Sequence, residues 1–167
     1  MNFLDLLPYI LIASGIITLF TLSIIDLKTW LLPNKLNLLF AILGIAFHAS
    51  IQFTIFEPMQ LLYGAMLGAG TLLTIRFFGN KYYGQDTLGL GDVKLLGAAG
   101  FWLGVEGVVL AMTIGAFMGI LHGVGFAVTR AIKEKTKPNL KRLMIPAGPG
   151  FCMGIILSGF WIFFDKL

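Results

Sequence analysis

Long uncharged stretches dominate the pattern of hydrophobic and polar positions along this chain. Five of them run for 18 to 23 residues without Lys, Arg, Asp or Glu, at residues 6–25, 36–56, 58–75, 107–129 and 143–164. A bilayer core about 30 Å thick needs about 20 helical residues, so each stretch is long enough to cross a membrane. Because backbone in lipid must satisfy its own hydrogen bonds, the pattern predicts α-helices and not an open sheet.

A sixth apolar run, residues 95–105, has only 11 residues. It becomes a short span over residues 88–104 if Asp92 and Lys94 lie at a buried or interfacial position. The basic residues alternate regularly between the two sides of the membrane only when this sixth span is counted, which favours counting it.

The charged residues also predict an orientation. Eleven of the twelve basic residues then lie on one side: Lys28, Lys35, Arg76, Lys81, Lys94, Arg130, Lys133, Lys135, Lys137, Lys141 and Arg142. The opposite ends carry Asp5, Glu57, Glu106 and Asp165. By the positive-inside rule we expect a multi-pass protein of the cytoplasmic (inner) membrane, with cytoplasmic basic loops and both termini outward. The first span lacks a basic start, which indicates a retained helix and not a cleaved signal peptide.

Composition narrows the class further. Hydrophobic residues make up 57% of the chain and charged residues 12%, against about 25% charged residues in soluble domains. A soluble fold of this size could not hide so much apolar surface, and disorder requires the opposite composition. We therefore predict an all-α polytopic membrane protein of about six transmembrane helices, forming a single domain over residues 1–167.

The net charge of +4 is concentrated in residues 130–142. This basic loop is interpreted as a topology signal, with binding to anionic lipid headgroups as the alternative. Neither aromatic interleaving nor an RNA-binding motif accompanies it, so no nucleic-acid partner is expected.

Two aspartates are the main candidates for chemistry. Asp26 ends the first uncharged run and Asp92 begins the short span. Charges near membrane depth are costly and therefore suggest function. Both residues fall at the cytoplasmic ends of their predicted helices, where packing can bring them together. Paired carboxylates share a proton, so one can act as base for a water and the other as acid for a carbonyl.

The glycines next to Asp92 fit this chemistry. Gly89 and Gly91 remove side chains beside the aspartate, which permits a bend and lets an extended peptide approach the backbone. The alternative is that these glycines only mark a turn. Alone, such a motif is weak.

Three segments together carry a resemblance. Asp26 is followed by the turn Pro33-Asn34, then by Gly89-x-Gly91-Asp92-x-Lys94, and near the last span stands Pro146-Ala147-Gly148-Pro149. These segments closely resemble those of the type IV prepilin peptidases, a family of intramembrane aspartic proteases. The match runs from about residue 26 to residue 151.

The resemblance implies a helical membrane core in which Asp26 and Asp92 are catalytic. It implies cleavage of a short basic leader from prepilins or pseudopilins at the cytoplasmic face, without a metal or organic cofactor. Eight further residues are expected to bind substrate or shape the site: Gly89, Gly91, Lys94, Pro33, Asn34, Pro146, Gly148 and Pro149.

The chain also departs from the longer members of that family. Those carry an N-terminal insertion with paired Cys-x-x-Cys motifs and N-methylate the new terminus. Here Cys152 is the one cysteine, expected in the core, and Asp26 directly follows the first span. N-methyltransferase activity is therefore not expected. Ala147 stands where the family often has Phe, which weakens the assignment of residues 145–149.

Each of the other polar side chains has a structural and a functional interpretation. Lys94 either holds the helix end at the headgroups or contacts substrate, and Asp86 is either a solvated loop residue or attracts the basic leader. Pro33 and Asn34 most simply form a turn. His48 and His122 lie mid-span without neighbours at zinc-ligand spacing, so a helix-to-helix hydrogen bond is the favoured use.

The three tryptophans, Trp30, Trp102 and Trp161, fall near predicted span ends, as expected for interfacial anchors.

Two other functions compete with proteolysis. A proton- or cation-coupled transporter could use Asp26 and Asp92 as a relay, although no inverted repeat is visible. A non-catalytic scaffold of a pilus or secretion apparatus would tolerate exchange of either carboxyl for an amide.

Overall fold

The computed structural model describes residues 3–134 and 146–164. Regular structure in these residues is α-helical, which confirms the predicted all-α class. The helices are α1 (Phe3–Thr29), α2 (Asn34–Ser50), α3 (Pro58–Tyr83), α4 (Leu90–Glu134) and α5 (Gly148–Phe163). Of the described helices, α1, α3 and α4 are long and apolar enough to cross a membrane, and α5 is a shorter apolar helix. Most of the predicted basic loop, residue 145 of the third segment and both chain ends lie outside the described residues.

The chain reverses direction within α4, at Gly104, where φ is 61° and ψ is −165°. A Cβ atom on Gly68 of α3 would lie 2.5 Å from the Leu96 carbonyl oxygen and 3.0 Å from the Val108 side chain. A straight helix at about 1.5 Å per residue would separate Leu96 from Val108 by about 18 Å. The two halves of α4 are therefore antiparallel arms that meet at Gly104.

The first arm of α4 covers residues 90–103 and the second covers residues 105–134. They lie where the sequence predicts the short fourth span and the fifth span. The described residues thus contain six helical segments, and the number of membrane crossings stays a prediction.

Glycines bring α3 against the first arm. A Cβ atom on Gly100 would overlap the backbone of Gly64 and Ala65, and one on Gly64 would lie 2.6 Å from the Gly104 carbonyl carbon. Small residues permit this close backbone approach between membrane helices. This packing holds the start of α4, and with it Asp92, beside α3.

Aromatic residues fill the centre of the structure. Trp102 is 5% exposed, stacks on Phe40 and Phe47 and donates a hydrogen bond of 2.7 Å from Nε1 to the Phe40 carbonyl. The expectation that Trp102 is an interfacial anchor is wrong, because α2 supplies the partner that its N–H needs. Trp30 and Trp161 are exposed.

His48 lies on α2 and is fully buried. Its Nε2 lies 2.9 Å from the Trp102 carbonyl, to which it donates a hydrogen bond. The predicted helix-to-helix hydrogen bond of His48 is therefore confirmed, and it joins α2 to the first arm of α4.

The second predicted span is shorter than expected. Helix α2 ends at Ser50, and residues 51–56 form turns and bends in which Gln52 and Phe53 have positive φ. Helix α3 then begins at Pro58 with a capping box between Glu57 and Gln60. Proline favours the first helical turn, so the chain restarts there although residues 51–56 are uncharged.

Candidate active site

Asp26 lies in the last turn of α1 and is 5% exposed. Its Oδ2 accepts a hydrogen bond of 3.0 Å from the backbone N–H of Gly148. Gly148 is the first residue of α5, where backbone N–H groups lack helical partners and the helix dipole favours negative charge. A Cβ atom on Gly148 would lie 2.6 Å from that oxygen. Glycine therefore allows the start of α5 to reach the carboxylate.

Asp92 lies in the first turn of α4 and is 7% exposed. Its carboxylate lies against the backbone of Gly89, three residues earlier, where a Cβ atom on that glycine would lie 2.9 Å from Oδ2 of Asp92. Its Oδ1 is buried, and the described residues offer it no hydrogen-bond partner. A Cβ atom on Gly91 would lie 2.7 Å from Cβ of Leu32, so the linker between α1 and α2 covers this part of the site.

The two aspartates approach each other across three helix ends. Asp26 and Asp92 lie within electrostatic range of each other, and Cys152 on α5 lies within range of both. Like charges this close in a buried place favour sharing one proton. Such a pair can withdraw a proton from a water molecule and deliver one to a carbonyl oxygen.

Helix α2 is fastened to the start of α4 by two asparagines. Nζ of Lys94 donates a hydrogen bond of 2.7 Å to Oδ1 of Asn34. Nδ2 of Asn37, a residue 3% exposed, donates one of 3.3 Å to the Gly91 carbonyl. Oδ1 of Asn37 is buried, and no partner for it lies in the described part of the chain. These contacts hold the start of α4, and with it Asp92, against α2.

Pro33 forms the predicted turn before the second span. It precedes α2 in an extended conformation, with φ of −62° and ψ of 127°, and its carbonyl accepts hydrogen bonds from the N–H groups of Leu36 and Asn37. This turn presents Asn34 and Asn37 to α4. The functional interpretation of Pro33 and Asn34 stays a prediction.

The segment containing Pro146 and Pro149 leads into α5. Both prolines are partly buried, and Pro149 lies in the first helical turn, which proline favours. Of the residues expected here, Gly148 contacts an aspartate directly, whereas the prolines shape the entry of the chain into the helix.

A network of polar side chains holds the loop before Asp92. Arg76 of α3 pairs with Oδ1 of Asp86 at 2.6 Å and also donates to the Leu88 carbonyl. Asn80 donates to the same Asp86 oxygen at 2.8 Å, and its own Oδ1 accepts from the Thr87 N–H at 2.8 Å. Asp86 is thus exposed but ion-paired, which neither interpretation from the sequence anticipates.

Sequence reasoning misses two residues of this site. In the sequence pattern Arg76 counts only as an orientation signal, although it directly follows the uncharged run of residues 58–75. Asn37 is not singled out, although it follows Asn34 by one helical turn in an apolar segment. Both signals are weak because their partners, Leu88 and Gly91, are distant along the chain.

Within residues 3–134 and 146–164, no group of three or more His, Cys, Asp or Glu side chains is placed to hold a metal ion. An apolar cavity of about 460 Å³ lies along α1 and α5 and is lined by residues such as Gly15, Trp102 and Gly159. None of its lining residues is one of the two aspartates.

Comparison with known proteins gives consistent matches. A model of the type IV leader peptidase family matches residues 13–124. The prepilin leader peptidase/N-methyltransferase of Escherichia coli (strain K12) is 31% identical over 158 residues, which cover 92% of this chain and 66% of that protein. The protein of the same description from Pectobacterium carotovorum subsp. carotovorum is 33% identical over 147 residues, covering 85% of this chain and 49% of the relative.

The corresponding protein of Aeromonas hydrophila is 29% identical over 143 residues, 86% of this chain and 46% of its own length. The chain therefore spans about half to two thirds of the length of these curated relatives. No solved structure matches it.

Proposed function

Because this chain belongs to the type IV leader peptidase family, we propose that it is a membrane-embedded aspartic endopeptidase that removes the leader from prepilin-like precursors. The observation that carries the proposal is the burial of two aspartates within electrostatic range of each other. Both lie inside the segment that the family match covers. Precursors of this kind are named in the descriptions of the relatives.

The mechanism divides acid and base work between Asp26 and Asp92. One carboxyl is ionised and takes a proton from a water molecule, which attacks the carbonyl carbon of the scissile peptide bond. The other carboxyl is protonated and donates its proton to the carbonyl oxygen, giving a neutral gem-diol. The carboxyl that took the water proton then passes it to the leaving nitrogen, while a gem-diol hydroxyl gives a proton to the other carboxylate. The C–N bond breaks, the products are a carboxylic acid and an amine, and the pair is restored.

The glycines beside the two carboxylates support this division. The N–H of Gly148 donates to Oδ2 of Asp26, and the backbone of Gly89 lies against Oδ2 of Asp92. These contacts fix the orientation of each carboxylate while another oxygen stays available for chemistry. Orientation of reacting groups contributes several kcal/mol to catalysis, up to about 7–11 kcal/mol in well-organised systems. The absence of side chains at Gly89 and Gly91 leaves room for an extended substrate peptide.

The cut is proposed to occur at the cytoplasmic face of the inner membrane. Asp26 lies at the same end of the structure as the exposed Lys28 and Lys35, and basic residues near span ends favour the cytoplasm. A basic leader would remain on that side, with the following apolar helix in the bilayer.

Peptidase activity without N-methylation is proposed for these 167 residues. The relatives carry both activities in their names, but the chain covers only part of their length and contains one cysteine, Cys152. Paired Cys-x-x-Cys motifs, which the longer family members carry, therefore have no counterpart in this sequence.

A cleavage assay tests the peptidase proposal. The purified protein in liposomes is incubated with a prepilin that has a basic leader and Gly before the cut, alongside Asp26→Asn and Asp92→Asn. We expect cleavage by the wild type and a loss of about 10²–10⁴-fold in each variant, because each lacks one group of the acid–base pair.

Glu106→Gln is the matched control, since Glu106 is an exposed carboxylate outside the site and its amide should leave cleavage unchanged. Size-exclusion profiles establish that all variants fold. Failure of the folded wild type to cut prepilins of several classes would contradict the proposal and lead to proton- and cation-flux assays for a transporter.

A further inference from the structure

Arg76 connects α3 to the loop that precedes Asp92. One guanidinium nitrogen donates to the carbonyl oxygen of Leu88, and the other pairs with Asp86. The Arg76 side chain is 17% exposed, whereas that of Asp86 is 75% exposed. The contact of Arg76 with Leu88 therefore lies further inside the protein than its ion pair with Asp86.

The Leu88 carbonyl and the Gly89 N–H belong to one planar peptide unit. The carbonyl accepts from Arg76, and the Gly89 backbone lies against the carboxylate of Asp92, since a Cβ atom on Gly89 would lie 2.9 Å from its Oδ2. A cation and a carboxylate thus contact the same short segment, residues 88 and 89. Rotation of the peptide group between these residues would break the hydrogen bond to Arg76 and would shift the backbone that Asp92 contacts.

The position of this peptide unit is not secured by regular structure. Helix α3 ends at Tyr83, followed by Gly84 with φ of 66°, and α4 begins only at Leu90. Gly89 itself has no side chain to restrict its backbone. The Arg76 contact therefore restrains a peptide group that would otherwise have wide conformational freedom.

We propose that Arg76 is a positioning residue for leader cleavage, which holds the Leu88–Gly89 peptide so that the Gly89 backbone keeps the carboxylate of Asp92 in place. This inference rests on the proposed peptidase function. Arg76 acts through that peptide and does not touch the substrate.

The ion pair with Asp86 is secondary in this arrangement. An exposed ion pair contributes little to stability, because water screens its charges. Removal of the Asp86 charge leaves the Leu88 contact in place, and Asn80 still bonds the Thr87 N–H. Asp86→Asn is therefore the matched control, because it removes the ion pair and keeps the positioning contact.

The test compares wild type, Arg76→Gln, Arg76→Lys and Asp86→Asn in the prepilin cleavage assay, with rates divided by the amount of folded protein from size exclusion. Misplacement of a catalytic group by about 1 Å can cost about 10²-fold. We expect Arg76→Gln to lower kcat about 10- to 100-fold with KM within about twofold. Arg76→Lys, which keeps a charged donor, should recover part of kcat, and Asp86→Asn should stay within about threefold of wild type.

The outcomes separate the two proposals. A folded wild type that cleaves no prepilin overturns the peptidase function itself. If the wild type cleaves, a normal kcat in Arg76→Gln, an equal loss in Asp86→Asn, or a change confined to KM or to the folded fraction overturns the positioning role alone. Should Arg76→Gln fail to fold, the comparison of Arg76→Lys with Asp86→Asn decides, and a kcat loss in Asp86→Asn alone overturns the proposal.

Discussion

At the scale of single residues, the two aspartates share one structural feature, a close contact with a glycine. Each lies against the backbone of a glycine: Asp26 accepts a hydrogen bond from the Gly148 N–H, and Asp92 contacts Gly89. In both places a Cβ atom on the glycine would lie within 3.0 Å of a carboxylate oxygen. Glycine therefore serves here for close approach of backbone to a charged side chain.

Gly148→Ala tests whether this close contact with glycine matters for cleavage. We expect the added methyl group, 2.6 Å from Oδ2 of Asp26, to displace the carboxylate and to lower cleavage about 10- to 100-fold. The backbone tolerates alanine, since the described glycines with positive φ are Gly84 and Gly104. The measurement is kcat together with the melting temperature in detergent.

Gly119→Ala is the control for this substitution, because nothing lies within 4 Å of the position of its added methyl group. Full activity of a folded Gly148→Ala protein would show that the close contact has no part in cleavage.

The residues of the site differ in how far the sequence predicts them. Asp26 and Asp92 stand out because a carboxylate at membrane depth is costly, and Gly148 belongs to a segment with a family resemblance. Arg76 and Asn37 do not stand out, because their importance comes from the backbone carbonyls that they reach, at Leu88 and Gly91. A contact with a backbone carbonyl does not depend on the type of residue that carries the carbonyl, so the sequence pattern does not indicate it.

At the scale of helices, glycine pairs set the distance between elements. Gly64 and Gly68 of α3 face Gly100 and Leu96 of the first arm of α4 and the reversal at Gly104, with backbone against backbone. Residues on that arm such as Leu96 and Leu103 are almost fully buried. The short arm is therefore held by packing on α3, which compensates for its limited length.

Gly100→Ala is expected to destabilise the fold by about 1–3 kcal/mol, the usual range for overpacking. Its methyl group would overlap the backbone of Gly64 and Ala65, which cannot move as a flexible side chain can. Unfolding in a denaturing-detergent titration measures the change.

Gly70→Ala provides the comparison in the same bundle, since its added methyl group meets no atom within 4 Å. It should be neutral or stabilising by up to about 1 kcal/mol from helix propensity. Equal stability of the two variants would contradict the tight packing of α3 on α4.

The end of α2 shows that the end of an uncharged run does not always mark the end of a helix. The uncharged run places the second span at residues 36–56, but α2 ends at Ser50. Charge alone cannot detect that end, because residues 51–56 include polar but uncharged side chains such as Gln52 and Thr54. The capping box at Glu57 and Gln60 is the local signal that a new helix starts there.

At the scale of the whole molecule, the site lies at one end of the bundle. Asp26 is near the end of α1, Asp92 near the start of α4 and Gly148 at the start of α5. The reversal at Gly104 lies one helix arm away from Asp92. The antiparallel order of the helices therefore brings the segments of the candidate site together on the side where the basic connections are predicted.

Cysteine labelling in intact cells tests this orientation. Lys35→Cys and Glu106→Cys place exposed thiols at opposite ends of the molecule. We expect a membrane-impermeant maleimide to label Glu106→Cys directly and Lys35→Cys only after permeabilisation, because basic connections favour the cytoplasm.

The parent protein is the control for labelling, since Cys152 is 3% exposed and should not react. The opposite labelling pattern would place the aspartates at the outer face and contradict cleavage on the cytoplasmic side.

Some properties follow from composition and from local order along the chain. They are the helical membrane class, the positions of five apolar runs, the candidate role of the two aspartates and the turn at Pro33. They follow because transfer into lipid and helical hydrogen bonding depend on each segment alone. The reversal at Gly104, the burial of Trp102 and the hydrogen bond from Gly148 to Asp26 were decided by tertiary structure. Each depends on how closely two distant backbones approach, and that distance is set by packing between helices.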